Sequence, residues 1–294
     1  MTFKTQYLKI QKYAQEELSI IESKILLSLK TREPLNKILN DLIKAPSKHI
    51  RSLIVILFNK MMNIKISDNH LELLSSVELV HTASLIHDDI IDNSEYRRGI
   101  KTISAQLGNK LGVISGDYLL AIAMNKIANL NSTEILKEFS KTLYQMCIGE
   151  INQNFDKFKI GNIENYIEKS KNKTGYLFET ALYCSGIINN FGKEELNHLK
   201  SFAMNFGIAF QIRDDLNNLL KTEDFKPTQN DIKEGIYNAP VIYANSAKDY
   251  TSGIEKTRDL LNNYINICLE ELKNYEENEY KQALEELLEL LKND

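Results

Sequence analysis

Residues 71–92, LELLSSVELVHTASLIHDDIID, carry the pattern on which the fold turns. Apolar side chains recur at intervals of three and four through Leu73, Val77, Val80 and Ala83, the period of one helix face. The stretch is too long for an ordinary strand, so it predicts one long, largely apolar helix. It closes on three carboxylates, Asp88, Asp89 and Asp92, and Arg97 and Arg98 follow almost at once. On a helix, positions i and i+4 share a face, so Asp88 and Asp92 project together with Asp89 beside them. Two carboxylates about 5–6 Å apart repel unless a cation lies between them. Hard oxygen ligands of this kind suit Mg²⁺, which takes one or two carboxylates and completes its shell with water and phosphate oxygens. The competing reading is a solvated acidic helix end. Acids near a helix C-terminus oppose the macrodipole, however, and these end an apolar helix.

The pattern occurs twice. In SFAMNFGIAFQIRDDLNNLL (201–220), Asp214, Asp215 and Asn218 repeat the spacing of Asp88, Asp89 and Asp92, again after an apolar helical run. Two such helices, antiparallel and facing, would make an acidic mouth over an apolar cavity. Acidic walls on two sides imply several divalent ions and a strongly anionic ligand, and a diphosphate meets that description. Cations stand near in the sequence. Arg97 and Arg98 offer planar forks that match phosphate. Lys48 and Arg51 in SKHIRS can share one helical turn, and Lys173 and Thr174 in KNKTGYL supply a charge and a hydroxyl donor.

The remainder of the 294-residue chain reads as helix. GDYLLAIAMNKIANL (116–130), YQMCIGEINQNF (144–155) and QALEELLELL (282–291) all carry helical periodicity. SLIVILF (52–58) has the look of a buried strand, but among helical neighbours it is read as a core helix. Loops are expected at 45–48, 92–100 and 221–240. Hydrophobic residues make up 43% of the chain, enough for a substantial core. Only 12 Gly and 4 Pro occur, which disfavours a turn-rich all-β fold. A net charge of −4 gives no basic field for nucleic acid. Cys147, Cys184 and Cys268 are odd in number and irregularly spaced, which suits a reducing cytoplasm better than a disulfide framework. No signal-peptide core and no stretch long enough to span a bilayer are expected. The expectation is one all-α helical-bundle domain over residues 1–294 around a central apolar cavity.

HTASLIHDDIID with RRG, then KTG, then FQIRDD, then DIKEG followed by AP, resembles the trans-isoprenyl diphosphate synthases, or polyprenyl synthetases. The matches run in the family's order from about residue 45 to 242. The resemblance implies the isoprenoid-synthase type of helical bundle, usually as a homodimer. It also implies Mg²⁺-dependent, head-to-tail addition of isopentenyl diphosphate to an allylic diphosphate. Carried over by position, Asp88, Asp92 and Asp214 ligate the metal, with Asp89, Asp215 and Asn218 in support. Lys48, Arg51, His81 and Arg98 match positions that bind isopentenyl diphosphate. Arg97, Lys173, Thr174, Gln211 and Lys226 match positions that bind the allylic diphosphate. Asp88, Asp92, Lys173 and Asp214 then carry the catalytic work. A lone His on an apolar helix is more often a core residue, and it is the family match that makes His81 a ligand.

The chain also departs from the pattern. The family usually has two glycines and then Lys-Arg-x-Arg-Pro, where this chain has Pro46, Ser47, Lys48, His49, Ile50, Arg51 and Ser52. Asn218 stands for a third aspartate, and Ile236 stands where many members have Lys after Glu-Gly. One cation expected at the allylic diphosphate is therefore missing.

The helix before Asp88 also offers a ruler for product length. Short-product members tend to place an aromatic just before the motif, whereas Ala83 and Ser84 are small and Val80 lies one turn further down. A long polyprenyl product is expected, such as a quinone side chain. Two other readings stay open: a catalytic or regulatory subunit of a two-component, heterodimeric synthase, and a class I terpene cyclase. Against a cyclase, the second motif lacks the usual Asn/Ser/Glu spacing, and Lys48, Arg51 and His81 would have no task.

Overall fold

The computed structural model describes residues 3–220 and 230–292. In chain order the elements are α1 (Phe3–Gln11), α2 (Gln15–Ser28), α3 (Leu35–Lys44), α4 (Ile50–Met61) and α5 (Asp68–Ile91). Then come an antiparallel pair, β1 (Tyr96–Arg97) and β2 (Ile100–Lys101), followed by α6 (Ile103–Leu107), α7 (Asn109–Ala128) and α8 (Thr133–Phe155). After these come α9 (Ile163–Ser170), a π-helical turn (Lys171–Gly175), α10 (Tyr176–Ile188) and α11 (Lys193–Leu220). The chain closes with α12 (Asn230–Lys233), α13 (Ala239–Ala244), α14 (Thr251–Leu272) and α15 (Glu279–Lys292). The fold is all-α, as expected. The chain divides into two compact units, 11–137 and 138–294 with 1–10.

In the first unit SLIVILF lies inside α4, where every residue from Ile50 to Asn59 is buried. A helix buried on all sides has no polar face to show, which is why the run reads so much like a strand. The long helix α5 starts at a capping box, in which Ser67 Oγ accepts from the His70 N–H and His70 Nδ1 accepts from the Ser67 N–H. Its apolar face buries Leu73, Val77, Val80, Ala83 and Ile86. Helix α7 packs along α5, so closely at Gly112 that a β-carbon there would stand 2.7 Å from the Ile90 side chain. The expectation that no stretch could span a bilayer needs correction here. Asn109–Ala128 is long and apolar enough by length and composition, and a third of it is buried. A second correction concerns the expected loop 92–100, of which 96–100 belong to a short hairpin that closes at Lys101.

In the second unit α11 is the central helix, packed by α10, α14 and the π-helical turn. Phe202, Phe206 and Phe210 run along it, with Phe178 of α10 5.4 Å from Phe206 and 5.9 Å from Phe210 between ring centroids. This aromatic row stiffens the helix that leads to Asp214. Gly207 lets α11 touch the π-helical turn backbone to backbone, since a β-carbon there would lie 2.7 Å from the Gly175 Cα. Gly207→Ala is therefore expected to lower stability by about 1–3 kcal/mol in urea unfolding. Gly192→Ala, with nothing within 4 Å of the added carbon, is expected to change it by less than about 0.5 kcal/mol. The QALEELLELL run buries Leu284, Leu287, Leu288 and Leu291 as α15. Part of the stretch expected to be loop, 230–233, is the short helix α12. All three cysteines are free, with Cys184 and Cys268 buried.

Candidate active site

The first unit gathers its functional residues at the end of α5 and the start of α4. At the end of α5 the Asp92 N–H donates to the Asp88 carbonyl at 2.8 Å, which keeps the two side chains one turn apart. Asp88 is half-buried and Asp92 exposed. Asp89 between them is only 5% exposed. Its Oδ1 accepts from Arg97 Nε at 2.8 Å and lies 2.6 Å from a terminal Arg97 nitrogen. Burial raises the Asp89 carboxyl above its usual range, and Arg97 works against that rise. Arg97 and Ile100 face each other across the β1–β2 pair, so Arg98 and Gly99 form a two-residue turn. Both have positive φ, 53° and 78°, the requirement of a type I′ hairpin.

Arg98, half-buried, belongs to a second group around the N-terminus of α4. Burial lowers its pKa and the Glu78 carboxylate raises it. Arg51 is 8% exposed. His81 is held well below the usual imidazole range, first by burial and then by the charge of Arg51, with Arg98 and His49 adding to it. Three of the four residues expected at isopentenyl diphosphate are thus electrostatic neighbours: Arg51, His81 and Arg98. Lys48 is exposed, just before His49 at the head of α4.

Glu78 and His49 were missed in the sequence. Glu78, 4% exposed, accepts from Ser52 Oγ at 2.6 Å and pairs with His49 Nδ1 at 3.0 Å. Burial alone would raise this carboxyl, but the hydrogen bond and charge of His49, the Ser52 hydrogen bond and His81 together outweigh it and bring the pKa down to about 2. His49 is raised by Glu78 despite the opposing effect of burial. It caps α4 in the left-handed conformation, with φ 47°. The only available signal was an acid inside the apolar run SSVELVHT, three residues before His81.

The second unit holds a cavity of about 220 Å³. Among its lining residues are Lys173, Gln211, Asp214, Asp215, Asn218 and Ile236. As in the first motif, the second carboxylate is the one turned inward. Asp215 is 6% exposed and accepts from Tyr166 Oη at 2.7 Å and Gln211 Nε2 at 2.9 Å. Burial pushes its pKa up to about 6 against the pull of Lys169. Asp214 stays exposed. Thr174 is buried and donates its hydroxyl to Gln211 Oε1, so it orients that amide. Lys173 is exposed, 3.9 Å from Glu150. Lys226 lies outside the described residues. Among the chain-length positions Val80 and Ala83 are fully buried, whereas Ser84 is half-buried and donates to the His81 carbonyl at 2.8 Å.

Among the described residues no three His, Cys, Asp or Glu gather as a metal cage. Asp88 and Asp92 in the first unit, and Asp214 in the second, are carboxylates of the kind a hard divalent cation takes.

Each unit thus carries an Asp-Asp pair on a long helix, with Arg97, Arg98 and His81 near the first and Lys173 near the second. The family match agrees with this geometry, because the polyprenyl synthetase pattern covers residues 32–287. The chain belongs to the polyprenyl synthetase family of prenyltransferases. A prenyl transferase of Cyanophora paradoxa is 34% identical over 272 residues, covering 83% of this chain and 84% of that one. Heptaprenyl diphosphate synthase component 2 of Bacillus subtilis is 30% identical over 249 residues, covering 83% and 70%. The crystal structure of a polyprenyl synthase from Caulobacter crescentus, complexed with calcium and isoprenyl diphosphate, superposes with a TM-score of 0.89. It shares 22% identity with this chain, and the match covers 98% of each.

Proposed function

We propose that this chain joins isopentenyl diphosphate to an allylic diphosphate head to tail, each new double bond trans, and repeats the step to build a long polyprenyl diphosphate. The observation that carries this reading is a shared design at two helix ends. In both Asp-Asp pairs the second carboxylate is buried and hydrogen-bonded, and the first is presented. Asp88, Asp92 and Asp214 would hold Mg²⁺, with Asp89, Asp215 and Asn218 orienting them or their water. A bound magnesium ion would supply positive charge to stabilise the diphosphate as it departs. Arg97, Lys173 and Gln211 bind that diphosphate, and Thr174 sets the Gln211 amide. Lys48, Arg51, His81 and Arg98 hold and orient isopentenyl diphosphate. The allylic C–O bond breaks, the isopentenyl double bond forms the new C–C bond, and the proton leaves to the released diphosphate. Exclusion of water around the reacting carbons would protect the allylic cation from hydrolysis.

In this reading both units form one domain over 1–294 in the cytoplasm. Two copies pair, a role that the exposed Leu111, Val113 and Ile114 of α7 support. Growing product descends past Ser84. Ser84→Phe is therefore expected to shorten the main product by several isoprene units, read by chromatography of the dephosphorylated alcohols. An unchanged product distribution would remove Ser84 from the ruler.

A second reading is the catalytic subunit of a two-component synthase, favoured by the likeness to heptaprenyl component 2 and by Ile236 and Asn218. Assay of the purified chain alone with farnesyl diphosphate, isopentenyl diphosphate and Mg²⁺ separates the readings. A ladder of linear products supports the first. Activity only with an added second chain supports the subunit, and a cyclic hydrocarbon overturns both.

A further inference from the structure

Ile236 leaves an apolar side chain where a lysine was expected from the family pattern. We propose that Lys169 of α9 replaces that cation and binds the diphosphate of the allylic substrate. This inference rests on the prenyl-transfer reading and adds to it a residue that no sequence motif marks.

Lys169 and Ile236 line the same cavity, together with Lys173 and Asp214. Lys169 Nζ donates to Asn238 Oδ1 at 2.8 Å, two residues beyond Ile236. Asn238 Nδ2 in turn donates to Asp231 Oδ2 at 2.8 Å, and the Ile236 N–H closes onto the Asp231 carbonyl at 2.7 Å. The ammonium therefore stands on the very segment whose own side chain carries no charge.

A purely structural role would make Lys169 the counter-ion of a buried acid. Among the described residues, however, no carboxylate lies within 4.0 Å of its ammonium. Asp215 and Asp231 attract it only from further away, and Lys173 repels it. Its near partners are a neutral amide and the Tyr166 ring, 5.4 Å from Nζ to centroid. The amide takes one of three ammonium donors. A half-buried lysine with an amide partner, beside a second lysine in a cavity, is arranged to receive an anion.

The test uses the full chain as wild type, Lys169→Met, Lys169→Arg and the double variant Lys169→Met with Ile236→Lys. Calorimetric titration with inorganic pyrophosphate and Mg²⁺ reads binding directly, and steady-state kinetics read KM for each substrate. Lys169→Met is expected to weaken one pyrophosphate site and to raise KM for farnesyl diphosphate, each about tenfold. KM for isopentenyl diphosphate stays unchanged. Lys169→Arg and the double variant are expected to return to within about threefold of wild type, because the charge is restored. Unchanged pyrophosphate binding in Lys169→Met overturns the proposal, and so does a loss that neither charge-restoring variant recovers. A wild-type chain that binds pyrophosphate but makes no prenyl product would sink the prenyl-transfer reading instead. The titration still decides the role of Lys169.

Discussion

Asp88→Ala lowers prenyl transfer by about a thousandfold, the scale of losing a preorganised charge partner in a transition state. The same variant melts within a few degrees of wild type. The two halves of this expectation come from different atoms. The helix end is closed by the main chain, through the Asp92 N–H on the Asp88 carbonyl, and that bond survives loss of the side chain. What disappears is one of the two presented carboxylates one turn apart. Asp89→Ala differs, because it strips Arg97 of its buried partner and loosens the hairpin that carries Arg98. Normal turnover by Asp88→Ala, measured with saturating Mg²⁺, would falsify the metal assignment of the first motif.

Glu78→Gln costs about 3 kcal/mol of folding stability at about pH 5.5, the linkage value for a carboxyl brought from 4.5 to about 2. The glutamine keeps the size of the side chain and its bond to Ser52 but gives up the charge beside His49. The pH dependence follows from two shifts of opposite sense. The Glu78 pKa is lowered, so its contribution is full above the unfolded value of 4.5 and fades as pH falls towards 2. The His49 pKa is raised, so its contribution is full below 6.5 and fades as pH climbs through the raised value. The gap between wild type and Glu78→Gln in urea unfolding is thus widest between those limits and narrows on both sides. A gap that does not vary with pH contradicts the ion pair. Because the pair braces the head of α4 beside Arg51, KM for isopentenyl diphosphate rises in the variant too.

The acidic motifs were legible because helical geometry is periodic. Asp88 and Asp92, or Asp214 and Asn218, share a face by counting alone. Which aspartate of each pair faces inward was not legible, since that depends on Arg97 for Asp89 and on Tyr166 for Asp215, and Tyr166 lies 49 residues away. The His49–Glu78 pair joins residues 29 apart, and no local rule couples them. RRG was read as two cations and a loop, although the positive φ at both Arg98 and Gly99 makes it a turn first. Helix α7 meets the length and apolarity of a membrane span with only a third of it buried, a combination that periodicity alone did not flag. Lys169 escaped notice because a lysine in IEKSKN resembles any solvated lysine until Asn238 is placed beside it.

The π-helical turn Lys171–Gly175 gives the cavity a sensitivity to length as well as to composition. An α-helix advances about 100° per residue, and a π turn is one residue wider than the α turn it replaces. Lys169 lies just before this wide turn, Lys173 within it and Tyr176 just after it. Removing any one residue from it would let α9 and α10 merge into a single regular helix. Every side chain upstream would then swing by more than a quarter turn relative to those downstream. The number of residues in this turn is thus constrained alongside the identities of Lys173, Thr174 and Gly175.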